Sequence, residues 1–238
     1  APGVPPESWA SMVVVPSGDL FAVEGALNRD QDIAGLILEP TGAHYGQLPF
    51  DTPNYLKGLR QLTSQHGAVL IFDEVVTGFR ASPGGAQTRY EVTPDLTTMA
   101  KIVAGALPGG AIGGKGEIID MISHRGDPEW DNQHRVYHPG TFNANPLSAV
   151  AGATCLEIIA SQPINQQADK LAQLLKRGLN DVLGKMEVTG HAHGIASMIH
   201  LVLADCDCDQ EICTMSHAGI KQAVAAPAVT ALKRGMQN

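Results

Sequence analysis

The sequence has few cysteines, few aromatic side chains and no long apolar run. Four of its 238 residues are Cys and aromatic residues make up 5%, so the chain lacks the cysteine density of a disulfide scaffold. No apolar stretch reaches the ~18 residues that a membrane helix needs. The first residues also lack the basic-then-apolar order of a signal peptide. We therefore expect a cytoplasmic protein that makes no contact with a membrane.

Basic residues are outnumbered and scattered along the chain. Sixteen Lys and Arg stand against 24 Asp and Glu, which gives a formal net charge of −8. Nucleic-acid binding requires a clustered basic surface, so we expect no nucleic-acid partner. Hydrophobic residues make up 44% and charged residues 17% of the sequence, which is typical of a globular domain with a buried core.

Three of the four cysteines lie close together. Cys206, Cys208 and Cys213 precede His217, which gives four soft metal ligands in sequence. Zinc sites usually draw their ligands from two spaced pairs, whereas these four residues share one short acidic segment. We therefore predict a solvated loop here and no metal site.

Apolar runs alternate with helical patterns in the first half of the chain. The runs at 33–38 and 68–72 are almost continuously apolar, and helical spacing of apolar residues is found at 19–31 and 53–66. Continuous apolar runs are typical of strands buried on both faces of a parallel sheet. The order strand, helix, strand predicts a βαβ unit and an α/β fold.

The second half of the chain is richer in helical patterns. We predict helices at 145–161, 163–184 and 216–234, and a strand within 195–203. This change of pattern suggests two parts. We place a mainly parallel sheet with flanking helices at residues 1–160 and a smaller α+β portion at residues 161–238.

Charged residues follow the predicted strands at the sheet edge where ligands bind in open α/β folds. Glu39 and Asp73 each follow an apolar strand, and Lys101 follows the short run 96–100. An acid and a lysine at one edge suit a pyridoxal 5'-phosphate (PLP) site, because the amine forms a Schiff base and the acid keeps the pyridine nitrogen protonated. A charge at a strand end is also often only solvated, so these residues alone leave both interpretations open.

Longer motifs carry a family resemblance. The segment Ile71-Phe-Asp-Glu-Val-Val-Thr-Gly-Phe-Arg80 is followed by Asp95-Leu-Thr-Thr-Met-Ala-Lys101, then by Gly113-Gly114 and Gly140-Thr-Phe-Asn143. This order resembles the class III aminotransferases of PLP fold type I, and the general pattern is most similar to the glutamate-1-semialdehyde aminomutase branch. The lysine comes 28 residues after the acid, and the Gly-Thr pair begins 39 residues after the lysine.

The resemblance implies a role for five residues. Asp73 resembles the carboxylate that binds the pyridine nitrogen, and Val75 resembles the residue packed on the ring. Lys101 resembles the Schiff-base lysine, which also moves the proton between substrate and cofactor. Thr141 resembles the hydroxyl that reaches the cofactor phosphate of a partner subunit. His44 falls where relatives place a polar residue near the ring, although a surface loop histidine fits the sequence equally well.

The resemblance also implies a reaction and an assembly. The implied reaction moves an amino group between an amine or amino acid and a keto acid or aldehyde, in a homodimer with the site at its interface. An aminomutase-like activity is the alternative. Compared with the family, the chain is expected to be truncated at both ends and to lack the usual phosphate-binding turn. A non-catalytic remnant that serves as a folded dimer or binding module is therefore the third hypothesis.

Overall fold

A computed structural model describes residues 3–42 and 52–204 of the chain. Its helices are α1 (Leu20–Arg29), α2 (Thr52–His66), α3 (Gly85–Tyr90), α4 (Gly116–Ile119), α5 (Pro146–Ser161) and α6 (Ile164–Lys185). Its strands are β1 (Gly35–Leu38), β2 (Val69–Glu74), β3 (Leu96–Ala100), β4 (Gly110–Gly114), β5 (His191–His193) and β6 (His200–Val202). Short 3₁₀ turns lie at Pro6–Trp9, Lys101–Ala104 and Asp120–Ile122, and a π turn lies at Trp130–His134.

The larger sheet has the strand order β1-β2-β3-β4. Strands β1, β2 and β3 are parallel, and β4 returns antiparallel to β3. The βαβ unit formed by β1, α2 and β2 confirms the predicted α/β fold. The carboxyl ends of three parallel strands therefore meet at one edge, where a ligand site is expected in such sheets.

Local sequence signals explain where several helices begin. The side chain of Asp19 accepts a hydrogen bond from the Ala22 amide at the start of α1. Asn145 caps α5 by accepting from two amides of the first turn, and Pro146 occupies the first helical position. Both arrangements satisfy amides that have no partner within a helix. These helix starts agree with the pattern read from the sequence.

The main core lies between the sheet and helices α1 and α2. One face of β2 contributes Leu70 and Phe72, which are both 0% exposed. The helices cover this face with Val23, Leu27, Leu56 and Leu59. Because side chains alternate along a strand, Asp73 lies on the opposite face from this core.

The structure corrects the expectation that the first two strands are buried on both faces. Within the described residues β1 is an edge strand, and Ile37 is 62% exposed. Burial alternates along β2, where only every second residue is fully buried. A continuous apolar run thus marked each strand correctly, but it did not indicate which faces are covered.

Two glycines allow helix α5 to approach the turn that follows β3. Gly105 has a φ of +59°, and a Cβ there would lie 2.5 Å from the carbonyl oxygen of Ala151. A Cβ on Gly152 would overlap the carbonyl oxygen of Val103. The backbone of α5 therefore packs directly on the segment that begins with Lys101.

The C-terminal part of the described chain is α6 with the antiparallel pair β5 and β6. The strand expected within 195–203 covers only residues 200–202, and β5 was not predicted. The helix predicted at 216–234 lies outside the described residues, and the division into 1–160 and 161–238 stays a prediction. Across 3–42 and 52–204, no single helix is long and apolar enough to cross a membrane; α5 and α6 meet that criterion only as a pair bent by 76°.

Candidate functional site

Asp73 lies near the carboxyl end of β2 and is half-buried. Its Oδ1 accepts a hydrogen bond from the Val75 amide at 3.1 Å. The same oxygen accepts a hydrogen bond from the Thr98 hydroxyl at 3.3 Å. Within residues 3–42 and 52–204, no hydrogen bond reaches the second oxygen, Oδ2. The carboxylate is therefore held on one side and available on the other.

Lys101 is the first residue after β3 and begins the 3₁₀ turn. Its φ of 58° lies in the left-handed region, which costs a residue other than glycine about 1–2 kcal/mol. Its Nζ donates a hydrogen bond to the carbonyl oxygen of Val75 at 3.4 Å. Unfavourable backbone angles of this kind are concentrated at functional sites, where the surrounding structure holds them in place.

Val75 connects Asp73 with Lys101 through its backbone. Its amide donates to the Asp73 carboxylate, and its carbonyl oxygen accepts from Nζ of Lys101. Its side chain is half-buried. The sheet edge thus places a carboxylate, a primary amine and a half-buried apolar residue next to one another.

Arg80 and Lys101 are the charged residues that line a cavity of about 400 Å³ beside helix α5. The helix contributes Ala151, Thr154, Cys155 and Ile158 to its wall. Arg80 is fixed by a hydrogen bond from Nη1 to the carbonyl oxygen of Val76 at 2.9 Å. The cavity therefore offers space next to the lysine with cationic groups and a largely apolar wall.

Glu74 is a buried acid at the same edge that sequence reasoning missed. It is 2% exposed, and its Oε2 accepts a hydrogen bond from the Ala86 amide at 2.7 Å. Burial raises the pKa of Glu74, although hydrogen bonds from Ala86, Gln87 and Thr77 oppose that effect. Position 74 shares the buried face of β2 with residues 70 and 72, and this alternation is the signal that could have identified it.

Asp95 organises the sheet beneath the site. Its carboxylate accepts from Arg60 at 2.9 Å, from Lys115 at 2.7 Å and from the Leu70 amide at 2.7 Å. Burial alone would raise the pKa of Asp95, but hydrogen bonds from Lys115, Leu70 and Arg60 lower it overall. This side chain therefore ties β2, the residue after the end of β4 and helix α2 to the strand that leads to Lys101.

The remaining predicted site residues are not joined to this group. Thr141 lies on an exposed turn before α5, and among the described residues no hydrogen bond links it to Asp73 or Lys101. His44 lies outside the described residues. The segment with Cys206, Cys208, Cys213 and His217 lies there too, and the part of the chain that is described contains no group of three or more potential ligands placed to hold a metal ion.

Comparison with known proteins identifies the family. The profile described as aminotransferase class III matches residues 18–225. A glutamate-1-semialdehyde 2,1-aminomutase 2 from Brevibacillus brevis is 38% identical over 206 residues, which are 86% of this chain and 46% of that protein. A glutamate-1-semialdehyde 2,1-aminomutase from Methanothrix thermoacetophila is 39% identical over 197 residues, which are 82% of this chain and 43% of that protein. The chain belongs to the class III aminotransferase family, which confirms the resemblance seen in its motifs.

Solved structures agree with this assignment. An omega-transaminase from Sphaerobacter thermophilus is 33% identical, with a TM-score of 0.80 over 96% of this chain and 48% of that one. A transaminase with PLP bound is 26% identical, with a TM-score of 0.75 over 92% of this chain and 49% of that one. The fold is that of PLP fold type I, and PLP is the cofactor of this family. The chain spans about half the length of the relatives it matches.

The described residues fit the ring end of PLP. Asp73 lies near the carboxyl end of β2, and no hydrogen bond from the described residues reaches its Oδ2. A carboxylate is the group that pairs with a protonated ring nitrogen. Lys101 supplies the primary amine that an aldehyde requires. Val75 could pack on the ring between them.

Proposed function

We propose that this chain carries the lysine and aspartate of a PLP-dependent aminotransferase site. The proposed reaction moves an amino group between an amine or amino acid and a keto acid or aldehyde. The observation that carries this proposal is the placement of Lys101, whose left-handed backbone brings its amine to the same Val75 backbone that contacts Asp73.

Each residue has a stated task in this proposal. Asp73 binds the ring N–H through Oδ2, while its Oδ1 stays hydrogen-bonded to Val75 and Thr98. Lys101 binds the cofactor through Nζ, and the same amine then holds and moves the proton of the substrate α-carbon. When bound, PLP supplies an electron sink that stabilises negative charge at that carbon.

Reductive labelling tests the role of Lys101. The chain is incubated with PLP, treated with borohydride and mapped by peptide mass spectrometry. We expect the label on Lys101, and we expect Lys101→Ala to fold normally but to lose both the label and amine-dependent consumption of pyruvate. Lys57→Ala serves as the matched control, because Lys57 is an exposed lysine on α2. A label on another lysine, or turnover by Lys101→Ala, would contradict the proposal, and a chain that never binds PLP would favour the non-catalytic hypothesis.

The Asp73→Asn variant distinguishes the effect of Asp73 on PLP binding from its effect on turnover. The amide keeps the shape of the carboxylate and can still accept a hydrogen bond from the Val75 amide. It no longer stabilises a protonated ring nitrogen, so turnover should fall by about two or more orders of magnitude while PLP still binds. Full activity in this variant would remove Asp73 from the proposed site.

The named relatives favour one specific alternative, an intramolecular transfer in glutamate 1-semialdehyde. Both relatives described above carry that aminomutase name. An aminomutase converts the semialdehyde into its isomer without a separate amino acceptor. Incubation with glutamate 1-semialdehyde alone, followed by chromatography, distinguishes the two reactions, because a transaminase requires a second substrate for sustained turnover.

We also propose a homodimer whose interface includes the turn around Thr141. Exposed apolar side chains accompany that turn, with Tyr137 at 76%, Phe142 at 81% and Leu147 at 69% exposure. Contiguous exposed apolar surface is typical of interaction sites. Phe142→Ser should shift the chain toward a 25.0 kDa monomer in analytical ultracentrifugation, whereas Phe21→Ser on α1 should not. A monomeric wild-type chain with full activity would contradict this assembly.

A further inference from the structure

Thr98 and Asp73 are neighbours in the parallel pair β2 and β3. The register pairs Asp73 with Thr98, so both side chains lie on the same face of the sheet. The Thr98 hydroxyl donates to Asp73 Oδ1 at 3.3 Å. This hydrogen bond links two strands at the point where both approach the ligand edge.

The Thr98 hydroxyl is the second hydrogen-bond donor to the Asp73 carboxylate. The Val75 amide belongs to the same short segment as Asp73 and donates to the same Oδ1 at 3.1 Å. One donor leaves the planar carboxylate free to pivot about the shared oxygen, whereas two donors from different elements restrict that rotation. Because the loop residue Val75 and the strand residue Thr98 both donate to Oδ1, they restrict the orientation of the carboxylate and with it that of Oδ2.

We propose that Thr98 is a positioning residue that directs Asp73 Oδ2 toward the ring nitrogen of PLP. This inference rests on the proposed function, because it concerns the same cofactor. Thr98 acts only through Asp73. The Thr98 hydroxyl should therefore strengthen the binding of a ligand that has a ring nitrogen and should not affect the binding of a ligand that lacks one.

The adjacent Thr97 offers a matched control. Thr97 precedes Thr98 in β3, pairs with Phe72 and is 8% exposed. Since side chains alternate along a strand, Thr97 lies on the opposite face from Asp73. The same change, threonine to valine, can thus be made on either face of one strand with nearly equal change in shape.

The experiment measures binding of two ligands to five proteins. The ligands are PLP and its carbocyclic analogue, in which a C–H group replaces the ring nitrogen. The proteins are the wild-type chain, Thr98→Val, Thr98→Ser, Thr98→Ala and Thr97→Val, each checked for folding by circular dichroism. Ser restores the hydroxyl, and Ala provides a second hydroxyl-free variant should Val not fold.

We expect Thr98→Val and Thr98→Ala to weaken PLP binding by about 10- to 150-fold, the scale of one hydrogen bond to a charged group. Thr98→Ser and Thr97→Val should stay near wild type, and all five proteins should bind the analogue equally. Equal PLP affinity in wild type and both hydroxyl-free variants would overturn the inference alone, as would an equal loss for both ligands. A wild-type chain that binds neither ligand would overturn the proposed function and this inference together.

Discussion

The carboxylate of Glu74 lies directly against the α-carbon of Gly85. A Cβ at that position would lie 2.6 Å from both carboxylate oxygens, and the φ of Gly85 is +71°. Glu74 also accepts the Ala86 amide at the start of α3. The contact therefore fixes both ends of the loop that follows β2, the loop whose first residue is Val75.

Gly85→Ala tests this contact. The added methyl group clashes with a buried carboxylate and the backbone angle disfavours alanine, so we expect a loss of about 2–4 kcal/mol in the free energy of unfolding. Urea denaturation followed by circular dichroism measures it. Gly178→Ala is the control, because Gly178 lies in α6 with open space around it and should gain up to about 1 kcal/mol. Unchanged stability in Gly85→Ala would show that the loop adjusts freely.

Glu74 should make stability depend on pH. Its pKa is raised in the folded chain, chiefly by burial, so the folded state retains the proton after the unfolded state has lost it. The contribution of Glu74 to stability should therefore be greatest below the unfolded value of about 4.3 and decline as the pH rises through the folded pKa. Glu74→Gln should remove that decline, while Glu117→Gln at an exposed position should leave it in place. Parallel pH profiles for wild type and Glu74→Gln would exclude Glu74 as the cause.

The sequence predicted the strand ends better than it predicted burial. Apolar runs and helical spacing located β1, β2, α2 and α5, because those signals depend on neighbouring residues alone. Strand β4 was missed since Gly110–Gly114 carries three glycines and has little strand propensity; close approach of the Asp95 backbone is what requires Gly114 there. Burial of Ile37 was predicted wrongly because it depends on which elements cover the strand.

In the candidate site too, the sequence identified residues that local motifs mark, and it missed those whose role depends on tertiary contacts. Strand-end positions and the family resemblance selected Asp73 and Lys101, and the resemblance alone selected Val75. The parallel register explains their proximity, since adjacent strands end at one edge. The hydroxyl of Thr98 and the burial of Glu74 were not predicted, because each depends on cross-strand or loop contacts. Such contacts become visible only once the register of β2 and β3 is known.

Asp95→Asn should destabilise the sheet that supports Lys101. The neutral amide cannot form ion pairs with Arg60 and Lys115, and it leaves polar partners unsatisfied. We therefore expect the free energy of unfolding to fall by about 2–4 kcal/mol. Because the pKa of Asp95 is lowered in the folded chain, its stabilisation is present above the unfolded value of about 3.9 and is lost as the pH falls through the folded pKa. Chemical denaturation between pH 3 and 7 measures both effects. Asp181→Asn on the exposed side of α6 is the control, and an equal loss there would refute the assignment.

Gly152→Val tests whether the packing of α5 controls the lysine. The side chain would meet the carbonyl oxygen of Val103, so α5 must move away from the turn that begins at Lys101. We expect a loss of about 1–3 kcal/mol in stability together with slower labelling of Lys101 by PLP and borohydride. Ala153→Val introduces the same residue at the next, exposed position of α5 and should alter neither quantity much. If Gly152→Val loses stability while Lys101 is labelled at the wild-type rate, the helix stabilises the fold without positioning the lysine.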